Sequence, residues 1–229
     1  MARAKGKTKA KAKPKAKARP RAKAKPKAKE RLTEYERKRD FSKTSEPSAR
    51  PRRGRKGGPR RRHPRFTIQK HAATSLHYDL RLEVDGVLAS WAVPKGPSTN
   101  PADKRLAMRT EEHPMEYLEF EGVIPKGEYG AGPVIVWDRG VFENISETRS
   151  GEKLTLEQAL EKGDIKVFLL GEKIRGPYAL VRTSPRGERE QWLLIKKRGE
   201  GADRRRNPTS TEPKSVLTGR TIEQVRKEG

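Results

Sequence analysis

Between Leu76 and Val93 the chain reads LHYDLRLEV-DG-VLASWAV, alternating apolar and polar positions with a period of two. Successive side chains of a strand point to opposite faces, so Leu76, Tyr78, Leu80, Leu82 and Val84 share one face. His77, Asp79, Arg81 and Glu83 share the other. Asp85-Gly86 at the centre is the pair preferred in a two-residue type I′ hairpin turn. The pattern therefore predicts a β-hairpin with a core face and a polar face.

Other short runs carry the same signal: FTIQKH, RLAMRT, PVIVWD, IKVFLL, YALVRT and QWLLIKK, with Gly- and Pro-rich turns between most of them. LTLEQALEKG is the clearest helix, with Thr155 and Gln158 spaced as a capping box and Gly163 at the C-terminal cap. RLTEYERKRDF reads as a short helix and SKTSEPSAR as a polar linker. Many short strands with one or two short helices predict a mainly β, β-rich α+β fold built as a compact β-barrel or sandwich. The C-terminal stretch from 199 is polar and linker-like, with a short helix after Thr221.

Composition changes this picture at the ends. Only 31% of the 229 residues are hydrophobic and 37% are charged, too polar for a globular chain throughout. The net charge of +25 is concentrated in two places. Residues 1–30 hold 14 Lys or Arg against the single Glu30, and residues 51–65 hold eight and no acid, while residues 66–229 are nearly neutral. Lys/Ala/Pro alternation in 1–30 predicts a disordered basic tail, since Pro breaks helices and like charges repel. The organisation expected is that tail, an N-terminal segment with a basic loop over 31–65, a β-barrel over 66–198 and a polar tail over 199–229.

Such a tail is either a solubilising appendage or a nucleic-acid tether. As a tether it binds phosphates without reading sequence, with a salt slope of about −0.9 per phosphate neutralised. Membrane attachment is disfavoured, because no aromatic or apolar anchors interleave the lysines. Cysteine is absent, which excludes a disulfide framework and thiolate metal sites. No apolar run approaches the ~20 residues of a membrane span, and no apolar segment follows the basic start as in a secretory signal. A cytoplasmic, nucleoid-associated protein is expected.

Three sites could carry chemistry. His77 and Asp79 project from one strand face, and His71 completes a set if the AATS segment turns back. Two imidazoles and a carboxylate leave open positions for water and substrate, as a catalytic divalent site requires; the same spacing also occurs on solvated strand faces. Arg81, two residues on, can fork onto a phosphate oxygen or pair with Glu83 or Glu111. In EEHPMEY, Pro114 suits the first position of a helical turn. His113 and Tyr117 would then be donors to a phosphoryl oxygen, or a cap and a core residue. His63, among arginines and prolines, reads as solvated. PKGEYGAG lacks the Lys-Ser/Thr ending of a P-loop and reads as a tight turn.

Taken together, FTIQKHAATSLHYDLRLEVDGVLASWAVPKGPS, DKRLAMRTEEHPMEY and FEGVIPKGEYGAGPVIVWDRG closely resemble the 3′-phosphoesterase domain of bacterial DNA ligase D. YERKRDFSKTSEP resembles that domain's N-terminal segment and WLLIKK its last strand, so the likeness runs from Leu32 to Lys197. It implies a compact β-barrel enzyme of DNA break repair. Such an enzyme removes a 3′-terminal ribonucleoside and then the remaining 3′-phosphate, usually with manganese, and leaves a 3′-hydroxyl. It also implies that His71, His77 and Asp79 hold the metal and that Arg81, His113 and Tyr117 hold the scissile phosphate; we further expect His113 to be the acid for the departing oxygen. Lys95, Arg105 and Gln69 match further active-site positions, as do Arg39, Asp40 and Glu46 of the N-terminal segment. Ser45 stands where the family has Pro, which concerns local loop geometry.

DNA 3′ ends at primer-template junctions or breaks are the implied partners, with a Ku-type end-binding protein and a separate ligase and polymerase alongside. A stand-alone phosphoesterase is expected, its basic tail replacing DNA affinity that fused domains would supply. Two other readings stand beside this one. One is a catalytically inactive DNA-binding protein acting through its basic tails. The other is a metal-dependent phosphoesterase of RNA ends or small phosphate esters.

Overall fold

A computed structural model describes residues 28–49, 63–183 and 190–228. Most of the expected basic tail and basic loop lies outside these residues. The nine strands are β1 (Arg65–Ala72), β2 (Leu76–Val84), β3 (Val87–Val93), β4 (Lys104–Arg109), β5 (Gly122–Ile124), β6 (Gly132–Asn144), β7 (Asp164–Gly171), β8 (Arg175–Arg182) and β9 (Gln191–Lys196). They pair in the order β1-β2-β3-β4-β9-β8-β7-β6-β5, and β6 also pairs with β1. Eight antiparallel strands thus close a barrel, with β5 appended to β6, and the predicted mainly β barrel is what forms.

The hairpin turn is as the sequence dictates: Asp85 and Gly86 both have positive φ, 52° and 81°, the requirement of a type I′ turn. One face of β1 to β3 supplies Phe66, Ile68, Tyr78, Leu80, Leu82 and Trp91 to the barrel core. There Tyr78 meets Trp137 edge-on at 5.2 Å and Trp91 meets Trp192 at 5.6 Å. Leu76 departs from the predicted core face: at the strand's end it is 48% exposed.

The five α-helices among the described residues are all short: α1 (Ala28–Arg31), α2 (Thr33–Arg37), α3 (Leu156–Lys162), α4 (Pro208–Thr211) and α5 (Ile222–Glu228), with α2, α3 and α5 where the sequence predicts helices. The predicted capping box is present on α3, with Gly163 left-handed at its C-cap. A 3₁₀ turn covers Met115–Glu119, with Pro114 at its N-cap rather than inside it. No helix among the described residues is long and apolar enough to cross a membrane.

Two stretches that read as linkers are built into the structure. The SKTSEP stretch buries Thr44 and Glu46, because their polar atoms bond to each other and to Arg39. The C-terminal stretch docks Ile222 and Val225 against Ile135 of β6. It is tied down where Trp137 Nε1 donates to the Glu212 carbonyl at 2.7 Å and Val216 N to the Val136 carbonyl at 2.9 Å. A register shift between Ile68 and Gln69 against β6 places Trp137 and Asp138 at a bulge, which re-aims side chains locally. Asp138 there accepts the backbone N–H of Arg139, Glu172, Lys173 and Ile174 at 2.9–3.0 Å. Burial pushes its carboxyl up to about 6 despite those four amides.

Candidate active site and metal centre

Strand register assembles the site on the outer wall of the barrel. His71 pairs across strands with His77, Gln69 with Asp79, and Arg81 with Ser90 of β3. All project away from the core face. A second apolar cluster covers this wall: Tyr35, Leu88, Tyr117, Leu118, Phe120, Ile124 and Val134 join the N-terminal segment, the 3₁₀ turn and β5 to the barrel. The polar face of β2 is therefore not a solvated surface. Asp79 is 5% exposed and Arg81 3%. What remains open is a groove of about 380 Å³ bounded by Arg39, His71, His77, Asp79, Arg81, His113 and Tyr117.

The AATS segment turns back as the metal reading required, bringing the His71 and His77 rings to 4.7 Å between centroids. His71 Nε2 lies 2.7 Å from the Gly130 carbonyl and His77 Nδ1 2.8 Å from the Ser75 carbonyl. Those carbonyls take the ring N–H groups. They leave His71 Nδ1 and His77 Nε2 as lone pairs, each 3.5 Å from an Asp79 oxygen. A histidine whose far nitrogen is fixed by a carbonyl is the usual arrangement around a bound metal. The three ligand atoms lie within 4.8 Å of one another, so the donor set fits a single divalent cation. Burial penalises the Asp79 charge, but the Arg81 guanidinium beside it, the largest opposing influence, keeps the carboxyl well below the usual range.

Arg81 pairs with neither Glu83 nor Glu111. Its Nε donates to Gln69 Oε1 at 2.7 Å, Nη1 to Ser90 Oγ at 3.0 Å and Nη2 to Asp79 Oδ2 at 3.1 Å, with the Tyr117 ring 4.6 Å beneath. A guanidinium has five N–H groups, so Nη1 and Nη2 each retain one for an anion in the groove. Gln69 lies behind, its amide donating to the Tyr117 and Phe120 carbonyls at 3.1 and 2.9 Å.

His113 is buried, and its Nδ1 donates to its own neighbour's carbonyl, that of Glu111, at 2.9 Å. Burial, with Arg81 and Arg39 nearby, pushes its pKa well below 6.5. A neutral imidazole whose one N–H is committed to the Glu111 carbonyl presents no proton to the groove, unlike the acid expected from the sequence. Its Nε2 is instead an acceptor, 3.4 Å from Arg39 Nη2. It is also not a helix cap, since its backbone bridges Leu88. Tyr117 is both core and site: burial raises its pKa well above 10, and its hydroxyl donates to Glu46 Oε1 at 2.7 Å.

The N-terminal segment reaches the groove through Arg39, which binds Glu46 at 2.8 Å and Glu111 at 3.1 Å and lies over the Tyr35 ring at 3.8 Å. Glu46 therefore stands behind Arg39 and Tyr117. Five of the proposed residues fall outside the groove lining: Gln69 and Glu46 stand behind it, and the other three lie apart. Asp40 is exposed and bonds Ser42, Lys95 is exposed beside Pro94, and Arg105 pairs with Asp103. His63 is half-buried, with Glu143 at 4.0 Å. The sequence reading missed Ser90 and the Gly130 and Ser75 carbonyls. Glu111 entered it only as a partner for Arg81, although the EEH run was a usable signal for an acid beside His113.

A closed β-barrel with a His-His-Asp cluster and a buried arginine at its wall defines a candidate metal-assisted phosphoesterase site. Residues 69–182 match the DNA Ligase D 3′-phosphoesterase domain. The chain is 50% identical over 188 residues to the multifunctional non-homologous end joining protein LigD of Pseudomonas aeruginosa, covering 81% of this chain and 21% of that protein. It is 48% identical over 152 residues to the protein of the same name from Mycolicibacterium smegmatis, covering 63% and 18%. To the non-homologous end joining DNA repair protein LigD of Mycobacterium tuberculosis it is 46% identical over 157 residues, covering 68% and 18%. The chain belongs to the DNA ligase D 3′-phosphoesterase domain family, and it spans about a fifth of the length of these relatives.

Proposed function

We propose that the protein is a manganese-dependent DNA 3′-end-processing phosphoesterase, removing a 3′-terminal ribonucleoside and then the 3′-phosphate to leave a 3′-hydroxyl for break repair. The observation that carries this reading is the convergence of His71 Nδ1, His77 Nε2, Asp79 and the spare N–H groups of Arg81 on one groove. Manganese, held by His71, His77 and Asp79, would supply Lewis-acid neutralisation of the phosphate charge. Two imidazoles and a carboxylate suit zinc and iron as well, so the metal is part of the proposal.

The chain's own residues do the positioning. Arg81 holds a second phosphate oxygen with Nη1–H and Nη2–H, already oriented by Gln69, Ser90 and Asp79. Arg39 adds positive charge at the groove wall, fixed by Glu46 and Glu111. Neutral His113 accepts from Arg39 through Nε2 and so helps to hold that guanidinium at the groove wall. Tyr117, locked by Glu46, forms the floor under Arg81. The basic tail adds DNA affinity without sequence preference, and the working partners are a Ku-type end-binding protein, a ligase and a polymerase.

The test is a 5′-labelled primer-template ending in one ribonucleotide, incubated with manganese or EDTA beside His77→Ala and Asp79→Asn proteins. Manganese-dependent shortening to a 3′-phosphate and then a 3′-hydroxyl, lost in both variants, is expected. A primer left intact across manganese, zinc and magnesium, yet still shifted on a gel, would instead assign DNA binding through the basic tails. Faster turnover of RNA ends or free nucleotides would assign the other phosphoesterase reading.

A further inference from the structure

The groove is lined by the polar wall of His71, Asp79 and Arg81 and also by exposed apolar side chains. Five large apolar side chains are exposed among the described residues, and two of them, Leu76 at 48% and Tyr129 at 42%, line this groove. Exposed single hydrophobics are ordinary on a protein surface. Two of five at the mouth of one 380 Å³ groove are a concentration that suits a ligand with an apolar face.

Tyr129 is also held in place. The Lys38 ammonium lies 4.8 Å and the Arg39 guanidinium 5.7 Å from its ring centroid. Both cations are themselves fixed by Glu111, at 3.1 Å each. The next residue, Gly130, is left-handed, with φ of 78°, and its carbonyl is the partner of His71 Nε2. An aromatic ring one residue from the support of a candidate metal ligand is therefore fixed in position and still open to solvent. Every nucleobase has a π-face, so a fixed exposed ring binds bases without regard to sequence.

We infer that Tyr129 is the stacking platform for the base of the 3′-terminal ribonucleoside, bound in the groove while Arg81 holds the scissile phosphate. This rests on the end-processing reading and names the subsite that receives the departing nucleoside. The base is present in ribonucleoside removal and absent when the 3′-phosphate is removed, so the two steps should feel Tyr129 differently.

The test uses the full chain and a primer-template ending in a 2-aminopurine ribonucleotide, whose fluorescence is quenched by stacking. Binding in EDTA should quench it with the wild type, Tyr129→Phe and Tyr129→Trp, and leave it bright with Tyr129→Ala. In manganese, Tyr129→Ala should raise KM for ribonucleoside removal about 5- to 150-fold, the range of one base stack. That loss should exceed any loss in 3′-phosphate removal at least fivefold. Fluorescence that stays bright with the bound wild type, or equal losses in both steps, would overturn the inference and leave Tyr129 as a support for the Gly130 turn. Ring-dependent quenching by a protein inert in every metal would instead remove the proposed reaction and keep the base platform.

Discussion

Arg81 donates its Nε–H to Gln69 Oε1 at 2.7 Å, and the Gln69 amide is in turn fixed by two carbonyls of the 3₁₀ turn region, those of Tyr117 and Phe120. All of these groups are buried, so the guanidinium has no solvent to turn toward. One glutamine thereby sets the direction of the residue proposed to hold the phosphate.

Gln69→Ala removes that orientation and strands Arg81 Nε and two carbonyls. An unsatisfied buried polar group costs about 1–3 kcal/mol, so a measurable fall in Tm is expected. A misplacement of about 1 Å at a reacting centre costs on the order of a hundredfold. The 3′-phosphatase kcat should accordingly drop ten- to a hundredfold, with KM changing less. A variant with wild-type kcat would show that Arg81 finds its pose unaided.

Metal binding can be read without turnover. A cation that binds only the folded state stabilises it by about 2.7 kcal/mol at a hundred times its Kd. Manganese titrated into the wild type should therefore raise Tm progressively. His77→Ala should fold, since that side chain is 21% exposed and its hydrogen bond is to its own loop, but it should lose most of the rise. An equal rise in both proteins would place the cation elsewhere.

His113 gives a pH signature whose sign follows from its burial. In the unfolded chain its pKa is near 6.5, while in the folded protein burial, Arg81 and Arg39 push it well below. The unfolded state thus takes the proton first. Stability is fully present above about 6.5 and is lost as pH falls through that value toward the folded pKa, by at most about 1.4 kcal/mol per pH unit. Asp138 opposes this: raised from 3.8 to about 6 by burial, it gives up stability as pH rises between those values. Subtracting the Tm profile of His113→Phe from that of the wild type cancels Asp138. The difference should slope upward between pH 5 and 6.5, and a flat difference would mean that His113 titrates normally.

Local rules carried the sequence reading a long way where the signal was local. The Asp85-Gly86 turn, the Thr155–Gln158 capping box and the two-residue spacing of His77, Asp79 and Arg81 each depend on a few neighbouring residues, and each is realised. What was not legible is long-range. Polar residues at alternate positions read as solvent-facing, yet Asp79 and Arg81 are buried because Tyr35, Tyr117 and Phe120 arrive from distant segments to cover them. Glu46 looked like a linker residue because its partner Tyr117 is 71 residues away in sequence. The Gly130 and Ser75 carbonyls that orient the histidines are backbone atoms, which no choice of side chain announces. The docking of the C-terminal stretch rests on two apolar residues, Ile222 and Val225, inside a polar run.

The Arg39–Glu46 pair tests how stability and function divide in this wall. Its Nε–Oε1 distance is 2.8 Å and its side chains are 4% and 0% exposed. Removing Glu46 leaves Arg39 with Glu111 as its remaining buried partner and strands the Arg39 Nε–H and the Tyr117 hydroxyl, at a cost of about 1–3 kcal/mol for each unsatisfied group. Glu46→Ala should show that loss in denaturant unfolding, and Glu46→Gln a smaller one, because the amide oxygen can still accept from Arg39. Replacing both members, Arg39→Met with Glu46→Leu, removes both charges of the pair and should recover part of the stability, the remainder being lost because Glu111 keeps only Lys38 and the Tyr117 hydroxyl has no acceptor. Activity should not return with it. The double variant has no cation beside His113 Nε2 and no acceptor for the Tyr117 hydroxyl under Arg81. A stable but inactive double variant would assign the pair to the groove's electrostatics; recovery of both together would make it a brace that any well-packed residues can replace.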